Sequence, residues 1–288
     1  MANKKTIIIT GASQGLGLEI SKSLLLKNYN IAICSLNKKK LNEAYKYLLK
    51  FKKKDQHIFY KTVDVSSQTE VKNFIKLSIS KFGKIYGLIN NAGILGPKGK
   101  FEKTNIKEWK KTLEINLYGS IHTCLSLLPH FKKNKEGKII QLSGAGALAP
   151  MDNFTAYSAS KAAVVRFADT IAEELTNYNI QINSIAAGAI NTRMVDEIIN
   201  AGKKNVGIGL YNKIKKQKKD GGIPFNIITD LVLYLFTKKA KFINGKIISP
   251  KWDNWKIWEK NKTLVKESDV YTLRRIKGSD RNFDIGDN

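Results

Sequence analysis

The sequence predicts one α/β domain with a doubly wound parallel sheet of seven strands, followed by a C-terminal extension. Short β-branched runs alternate with longer segments of helical periodicity, and this alternation is typical of a parallel sheet covered by helices on both faces. The chain has 288 residues, 42% of them hydrophobic, which is enough for a large buried core. No linker or repeat interrupts the pattern before about Pro250. We therefore expect one domain over residues 1–250 and a tail over 251–288 that packs on this domain or on an oligomer partner.

Seven apolar runs are predicted to be the strands. Each run is short, rich in β-branched residues and separated from the next by a segment that we predict to be helical. The runs are Thr6–Thr10, Asn30–Cys34, Ile58–Val63, Ile85–Asn90, Lys138–Leu142, Ile180–Ile185 and Lys246–Ser249. A Lys- and Gly-rich stretch, 193–222, follows the sixth strand at the edge where doubly wound sheets bind ligands. We expect this stretch to form a mobile lid.

A glycine-rich turn joins the first strand to the first helix. Gly11 permits a sharp turn, Gly15 lets the backbone approach a pyrophosphate, and Gly17 allows close helix packing. The helix that begins here supplies unpaired backbone N–H groups to an anion. Such a turn can be merely structural, but its position directly after the first strand favours dinucleotide binding.

Four further motifs follow in order along the chain. They are Asn90-Asn91-Ala92-Gly93 after the fourth strand, Asn116-Leu117-Tyr118-Gly119, Ser143 at the end of the fifth strand, and Tyr157-Ser158-Ala159-Ser160-Lys161. Together with the TGxxxGxG spacing that begins at Thr10, this order resembles the short-chain dehydrogenase/reductase family from about Thr6 to Ser249. The resemblance implies a Rossmann-type fold and an enzyme that transfers hydride between a nicotinamide and a carbonyl or alcohol carbon.

The resemblance also implies four catalytic residues, Asn116, Ser143, Tyr157 and Lys161. Tyr157 is expected to act as the acid and base, while Ser143 donates a hydrogen bond to the substrate oxygen. Tyr157 and Lys161 are four residues apart on a predicted helix, so they share one face, and the ammonium can favour the phenolate. Lys161 is also expected to hold the nicotinamide ribose, and Asn116 to position a water that connects Lys161 to solvent.

Cofactor contacts are expected in the loops that follow the strands. The predicted set is Gly11, Ser13, Gln14, Gly15, Leu16, Gly17, Ser35, Leu36, Asn37, Lys38, Asp64, Val65, Asn90, Asn91, Ala92, Gly93, Tyr157, Lys161, Gly188, Ile190 and Thr192. The family usually has Pro-Gly after the sixth strand, whereas this chain has Ala187-Gly188. Because alanine lacks the fixed φ of proline, we expect a looser pocket for the nicotinamide carboxamide.

The segment after the second strand bears on the choice of cofactor. A carboxylate at this place would bind both ribose hydroxyls and repel a 2′-phosphate, and the segment Cys34-Ser35-Leu36-Asn37-Lys38 contains none. We therefore expect NADP(H) to be favoured over NAD(H), with Ser35, Asn37 and Lys38 as the phosphate contacts.

The charge of the chain is strongly positive, with 50 lysine and arginine residues against 24 acids and a net charge of +26. Such a balance is common among nucleic-acid-binding proteins. Here the lysines are scattered through nearly every predicted helix and arginine occurs only five times, so we interpret the charge as a solvated coat and expect no nucleic-acid partner. The apolar runs are far shorter than the ~20 residues that a membrane span needs. With no secretory signal before the first strand, we expect a cytoplasmic protein without a membrane partner.

Other residues carry weaker signals. Cys34 and Cys124 lie in apolar segments and are expected to be buried thiols, and the three histidines lack metal-ligand spacing, so no metal site is predicted. Trp252, Trp255 and Trp258 are expected to line a substrate pocket or an oligomer contact, or to brace the tail.

Three functions remain open at this point. The leading hypothesis is an NAD(P)-dependent oxidoreductase for a small carbonyl or alcohol substrate of the 3-oxoacyl-thioester, ketone or sugar type, assembled as a homodimer or homotetramer. A catalytically silent dinucleotide sensor or scaffold is the second hypothesis, and a nucleic-acid-binding protein is the third.

Overall fold

The computed structural model describes residues 4–283 and contains one parallel sheet with the strand order β3-β2-β1-β4-β5-β6-β7. The strands are β1 (Thr6–Thr10), β2 (Asn30–Ser35), β3 (Ile58–Thr62), β4 (Ile85–Asn90), β5 (Gly137–Ser143), β6 (Ile180–Ala186) and β7 (Ile247–Ile248). These bounds differ from the predicted ones by no more than one residue at either end. The predicted fold class is confirmed, and the order reverses between β1 and β4, where doubly wound sheets bind ligands.

Helices connect the strands and cover both faces of the sheet. They are α1 (Gly15–Leu26), α2 (Lys38–Leu49), α3 (Gln68–Phe82), α4 (Ile106–Leu113), α5 (Gly119–Asn134), α6 (Thr155–Glu174), α7 (Arg193–Val206), α8 (Ile208–Asp220), α9 (Phe225–Leu235) and α10 (Lys262–Glu267). A π-helical turn, Glu114–Tyr118, joins α4 to α5.

The core lies on the two faces of the sheet because alternate strand residues point in opposite directions. Ile7 and Ile9 pack with α1, α2 and α9, whereas Ile8 packs with α3, α5 and α6. All five residues of β1 are buried, as expected for a central strand of a parallel sheet. The carboxyl ends of the strands are therefore held by packing on both sides.

The Lys- and Gly-rich stretch after β6 is helical. It forms α7 and α8, and α7 is interrupted at Gly202, whose φ of 76° lies in the left-handed region. Val195, Ile198 and Ile214 of these helices form a buried cluster with Leu95 and Phe154. The predicted lid is thus a pair of helices that packs against the loop after β4 and the start of α6.

The tail packs on the domain of its own chain. Trp255, Trp258 and Val265 belong to the same buried core as α1 and α9, and the rings of Trp255 and Tyr234 have centroids 5.3 Å apart. Trp252 instead is 73% exposed and lines the main cleft. Trp255 and Trp258 therefore brace the tail, and Trp252 faces the pocket.

Both cysteines are buried and free, as predicted. Burial raises the pKa of the Cys34 and Cys124 thiols to about 12, which keeps them protonated at neutral pH. Within residues 4–283, no helix combines the length and the apolar character that a membrane crossing requires.

Candidate active site

A cleft of about 1350 Å³ opens at the carboxyl ends of the strands. Its walls come from the turn between β1 and α1, the loops after β2, β3, β4, β5 and β6, the start of α6, and the helices α7 and α8. Lys251 and Trp252, the first residues of the tail, complete its rim. The cleft therefore lies where the strand order predicts a ligand.

The glycine-rich turn lies directly against the loop after β4. Gly11 has a φ of 65°, and a Cβ added to it would lie 2.7 Å from the Cα of Ala92. Asn91 joins the two loops, since its Nδ2 donates to the carbonyls of Thr10 and Gly11, both at 3.0 Å. The Thr10 hydroxyl accepts hydrogen bonds from the backbone N–H groups of Asn91 and Ala92, both at 3.1 Å. Asn91 and Thr10 thus fix the shape of the turn.

The turn fits the pyrophosphate of a dinucleotide. Helix α1 begins at Gly15, and its N-cap residue Gln14 makes no side-chain capping hydrogen bond. The backbone N–H groups of a first helical turn need partners, and an anion can supply them. Gly15 and Leu16 line the cleft, and a Cβ added to Gly15 would lie 3.5 Å from the Thr192 side chain. The glycine-rich turn and the loop after β6 therefore approach each other closely at this point of the cleft.

The end of the cleft beside the loop after β2, where the adenosine ribose is expected, contains a lysine that the predicted set did not include. Lys40 lines the cleft, and its Nζ donates to Gln14 Oε1 at 3.0 Å. Lys38, the predicted contact, does not line it. Asn37 caps α2 by accepting a hydrogen bond from the Lys40 N–H at 2.9 Å. Because Lys38 is the first residue of the helix, Lys40 lies about 200° further round it and points to the opposite side.

Most of the remaining predicted cofactor residues line the cleft. These are Gly11, Ser13, Gln14, Gly15, Leu16, Ser35, Leu36, Asn37, Asp64, Val65, Asn91, Ala92, Gly93, Tyr157, Lys161, Gly188, Ile190 and Thr192. Gly17 and Asn90 do not line it. A Cβ on Gly17 would lie 2.5 Å from Asn91 Nδ2, so Gly17 serves packing. Asn90 is buried and accepts a hydrogen bond from the Thr123 hydroxyl at 2.8 Å, so it points towards α5.

Ser143, Tyr157 and Lys161 meet at the floor of the cleft. Ser143 ends β5, while Tyr157 and Lys161 lie one turn apart on α6, and all three are less than 10% exposed. Lys161 Nζ donates to the Leu142 carbonyl at 2.8 Å and lies 5.9 Å from the centroid of the Tyr157 ring. Among residues 4–283, the Ser143 hydroxyl makes only a long contact, 3.5 Å, to the Lys161 carbonyl.

The residue after the serine is also part of this arrangement. A Cβ added to Gly144 would come closer than 3.0 Å to the Tyr157 hydroxyl oxygen. The phenol therefore rests against the Gly144 backbone, next to Ser143. Sequence reasoning did not single out Gly144, although its place directly after the serine was a usable signal.

Burial decides the protonation of the pair on α6. It raises the pKa of Tyr157 to about 12 and lowers the pKa of Lys161 to about 8, because charged forms lose hydration in the interior. Lys161 Nζ is directed at the Leu142 carbonyl, and burial is the cause of the raised pKa of Tyr157. Tyr157 is therefore a protonated phenol at neutral pH. The predicted support of the phenolate by the Lys161 ammonium stays a prediction.

Asn116 lies in the π-helical turn and does not line the cleft. Its Oδ1 accepts from the Ile94 N–H at 2.8 Å, and its Nδ2 donates to the Ile94 carbonyl and the Ser160 hydroxyl, both at 2.9 Å. A Cβ on Gly93 would lie 3.1 Å from Asn116 Oδ1 and 3.4 Å from Lys161 Nζ. Asn116 thus holds the loop after β4 beside Lys161, and its predicted water stays a prediction.

The part of the cleft above the phenol is largely apolar. Its lining residues include Leu95, Met151, Met194, Ile198, Leu210 and Ile214. The cleft is also lined by the polar and charged residues Asp152, Asn153, Arg193, Lys213, Gln217 and Lys251. A substrate in this chamber would exchange water for apolar contacts along most of its length.

Comparison with known proteins agrees with this geometry. A family model described as short chain dehydrogenase matches residues 5–202. The chain belongs to this family. It is 29% identical over 248 residues to the 3-oxoacyl-(acyl-carrier-protein) reductase FabG of Staphylococcus aureus, covering 86% of this chain and 97% of that protein.

Two other similarities are informative. The chain is 30% identical over 223 residues to the NAD(+)-dependent 15-hydroxyprostaglandin dehydrogenase of Macaca fascicularis, covering 76% of this chain and 79% of that protein. The crystal structure of levodione reductase superimposes with a TM-score of 0.78 at 24% identity, covering 85% of this chain and 95% of that one. This short-chain dehydrogenase is therefore a nicotinamide-dependent oxidoreductase acting on carbonyl or alcohol groups.

Proposed function

We propose that this short-chain dehydrogenase reduces an apolar ketone or 3-oxoacyl compound and that it favours NADPH. The observation that carries the proposal is the position of the protonated Tyr157 hydroxyl. It lies beside Gly144 and Ser143, at the floor of a chamber with largely apolar walls.

The roles of the residues follow from where charge develops. As hydride reaches the carbonyl carbon, negative charge gathers on the carbonyl oxygen, and Ser143 donates a hydrogen bond to that oxygen. Tyr157 then transfers its proton to the same oxygen and completes the alcohol. Lys161, 5.9 Å from the phenol ring, stabilises the phenolate that this transfer leaves behind. The bound nicotinamide supplies the hydride.

The walls of the chamber support an apolar substrate over a sugar. A sugar needs a hydrogen-bonding partner for most of its hydroxyls, because each unpaired polar group costs free energy when it is buried. Methionine, leucine and isoleucine side chains contribute six of the lining residues around the phenol, Leu95, Met151, Met194, Ile198, Leu210 and Ile214. The presence of Ser143, Tyr157 and Lys161 together also speaks for an enzyme over a silent dinucleotide sensor.

NADP(H) preference is supported by the adenosine end of the cleft. Lys40, Ser13 and Ser35 line it, and the two serine hydroxyls are 2.9 Å apart. Ammonium and hydroxyl groups bind a 2′-phosphate, whereas a carboxylate would repel it. We therefore assign Lys40, and not Lys38, as the cation that contacts the 2′-phosphate.

The reaction is tested with a panel of ketones, oxoacyl thioesters and sugars, followed by nicotinamide absorbance. We expect turnover with apolar ketones or oxoacyl thioesters. Tyr157→Phe removes the proton donor and should lower kcat by about 10²–10⁴-fold, while the NADPH dissociation constant stays within a factor of two or so. Near-normal turnover of Tyr157→Phe, or activity confined to sugars, would contradict the proposal.

The cofactor preference is tested by titrating NADPH and NADH against the wild type, Lys40→Glu and Lys38→Glu. Reversal of the charge at Lys40 should weaken NADPH binding by roughly 100-fold. A lost charge-assisted hydrogen bond costs about 3 kcal/mol of binding free energy, which corresponds to a change of this size in the dissociation constant. NADH affinity should change little. Lys38→Glu is the matched control, because it makes the same charge change outside the cleft. Equal effects of the two variants, or tighter binding of NADH by the wild type, would refute the assignment.

We also propose that the protein is cytoplasmic and forms a homodimer or homotetramer. Tyr118 and Leu125 are 50% and 57% exposed and lie seven residues apart, on one side of the helical segment that leads into and through α5. Exposed apolar residues that share a face support a self-association surface. Light scattering should report a dimer or tetramer, and a monomer at micromolar concentration would refute this.

A further inference from the structure

We infer that the C-terminal tail holds the serine loop, residues 143–147, in place and that Leu273 is a positioning residue for Ser143. The family match ends at residue 202, so the tail lies outside the region that defines the family. The inference rests on the proposed function, because it assumes that Ser143 binds the substrate oxygen.

The tail is fastened to the edge of the sheet before it reaches Leu273. Lys246 Nζ donates to the carbonyls of Ser268 and Val270, at 2.7 and 3.1 Å. The Ile247 N–H donates to the Tyr271 carbonyl at 2.7 Å. The bond from Ile247 pairs the edge strand β7 with the chain's own tail. The segment is therefore tied down two residues before Leu273.

A second anchor lies directly at and after Leu273. Asp169 of α6 is buried and forms ion pairs with Arg166 and with Arg274, the latter at 2.9 Å. Arg166 also donates to the Leu273 carbonyl. A buried carboxylate between two guanidinium groups makes strong, directional hydrogen bonds. The tail is thus held to β7 before Leu273 and to α6, the helix that carries Tyr157, at and after Leu273.

The Leu273 side chain reaches a small cluster beneath the serine loop. Together with Ala186 it packs against three buried residues, Ala147, Val165 and Ile247. Ala147 ends the serine loop, and its N–H donates to the Gly144 carbonyl at 3.0 Å. Leu273 therefore covers the cluster into which the end of the serine loop is packed.

Ser143 depends on this packing because its own side chain is weakly held. Its only hydrogen bond among the described residues is the 3.5 Å contact to the Lys161 carbonyl, which is at the limit for a hydrogen bond. On its other side the loop touches α6, since a Cβ on Gly146 would lie 2.5 Å from the Ser158 hydroxyl oxygen. The loop is thus held between α6 and the cluster that Leu273 covers, and this backbone sets the direction of the Ser143 hydroxyl.

The test is a substitution in the full-length protein. Leu273→Ala removes the side chain that covers the Ala147 cluster, so the serine loop and the Ser143 hydroxyl should shift by well under 1 Å. We expect kcat to fall by about 10-fold, because a shift of 1 Å at a catalytic group lowers kcat by about 10²-fold. The NADPH dissociation constant should change by less than about 2-fold, since Leu273 packs against none of the predicted cofactor contacts. Leu273→Met should restore most of the turnover. Leu264→Ala is the matched control, because Leu264 lies in the same tail and is 61% exposed.

A mutant cycle with Ser143→Ala separates positioning from general loss of structure. Once the serine hydroxyl is absent, Leu273→Ala should lower kcat by less than about 2-fold, because coupled residues are not additive. The same 10-fold loss in both backgrounds, or a loss of NADPH affinity, would overturn the inference. Leu273→Val supplies the same cycle if the alanine variant does not fold. If Ser143→Ala alone retained wild-type turnover, the proposed role of Ser143 itself would fail, which is a separate result.

Discussion

Replacing Gly144 with alanine would place a methyl group where the Tyr157 hydroxyl lies. Gly144 has a φ of −160°, an extended conformation that alanine adopts freely, so any effect comes from the new contact. The added Cβ would be closer than 3.0 Å to the hydroxyl oxygen and 3.0 Å from Cζ. The oxygen must move by roughly 1 Å to reach an ordinary C···O distance.

This displacement should have two measurable consequences. A shift of about 1 Å at the proton donor corresponds to a loss of about 10²-fold in kcat. Overpacking at a buried site costs about 1–3 kcal/mol of unfolding free energy, and Tyr157 is only 8% exposed. The assays are turnover by nicotinamide absorbance, NADPH titration and urea denaturation. NADPH affinity should stay close to that of the wild type.

Tyr157→Phe provides the control for the Gly144 prediction. Without the hydroxyl, the nearest atom of residue 157 to the new methyl is Cζ, at the 3.0 Å limit. The loss of unfolding free energy caused by Gly144→Ala should then be smaller by at least about 1 kcal/mol in the Tyr157→Phe background than in the wild type. Near-normal kcat for Gly144→Ala, or an equal stability loss in both backgrounds, would refute the placement of the phenol against Gly144.

Two further outcomes are expected. Lys138 is buried, donates to the Leu235 carbonyl at 2.6 Å, and has its pKa lowered by burial from 10.5 to about 8. Above pH 8 the folded protein loses this proton, while the unfolded chain keeps it to about pH 10.5. The unfolding free energy of the wild type should therefore rise with pH relative to that of Lys138→Met, by up to about 3 kcal/mol. Urea denaturation of both proteins at pH 7 and pH 10 measures this rise, and an identical pH dependence would contradict the assignment. A gel-shift assay at physiological salt should show no nucleic-acid binding with a dissociation constant below about 1 μM, because scattered lysines do not form a phosphate-binding surface. Tighter binding would contradict the interpretation of the positive charge as a solvated coat.

The sequence by itself determined the sheet and the order of its motifs. The strands are marked by short apolar runs that alternate with longer helical segments, and a run that is buried throughout, such as Thr6–Thr10, is typical of the centre of a parallel sheet. The pairing of Tyr157 with Lys161 could also be predicted, because residues four apart share a helix face in any α-helix. These features depend only on local spacing.

The tertiary structure decided which side chains face the cleft and how they are charged. Lys38 and Lys40 belong to one run, and which of them faces the cleft depends on where α2 begins. The Asn37 cap sets that point. The high pKa of Tyr157 arises from burial by distant segments. Leu273 meets the serine loop only because the tail is fastened to β7 and α6. Burial and long-range contacts depend on how separate elements pack, and no local pattern in the sequence records them.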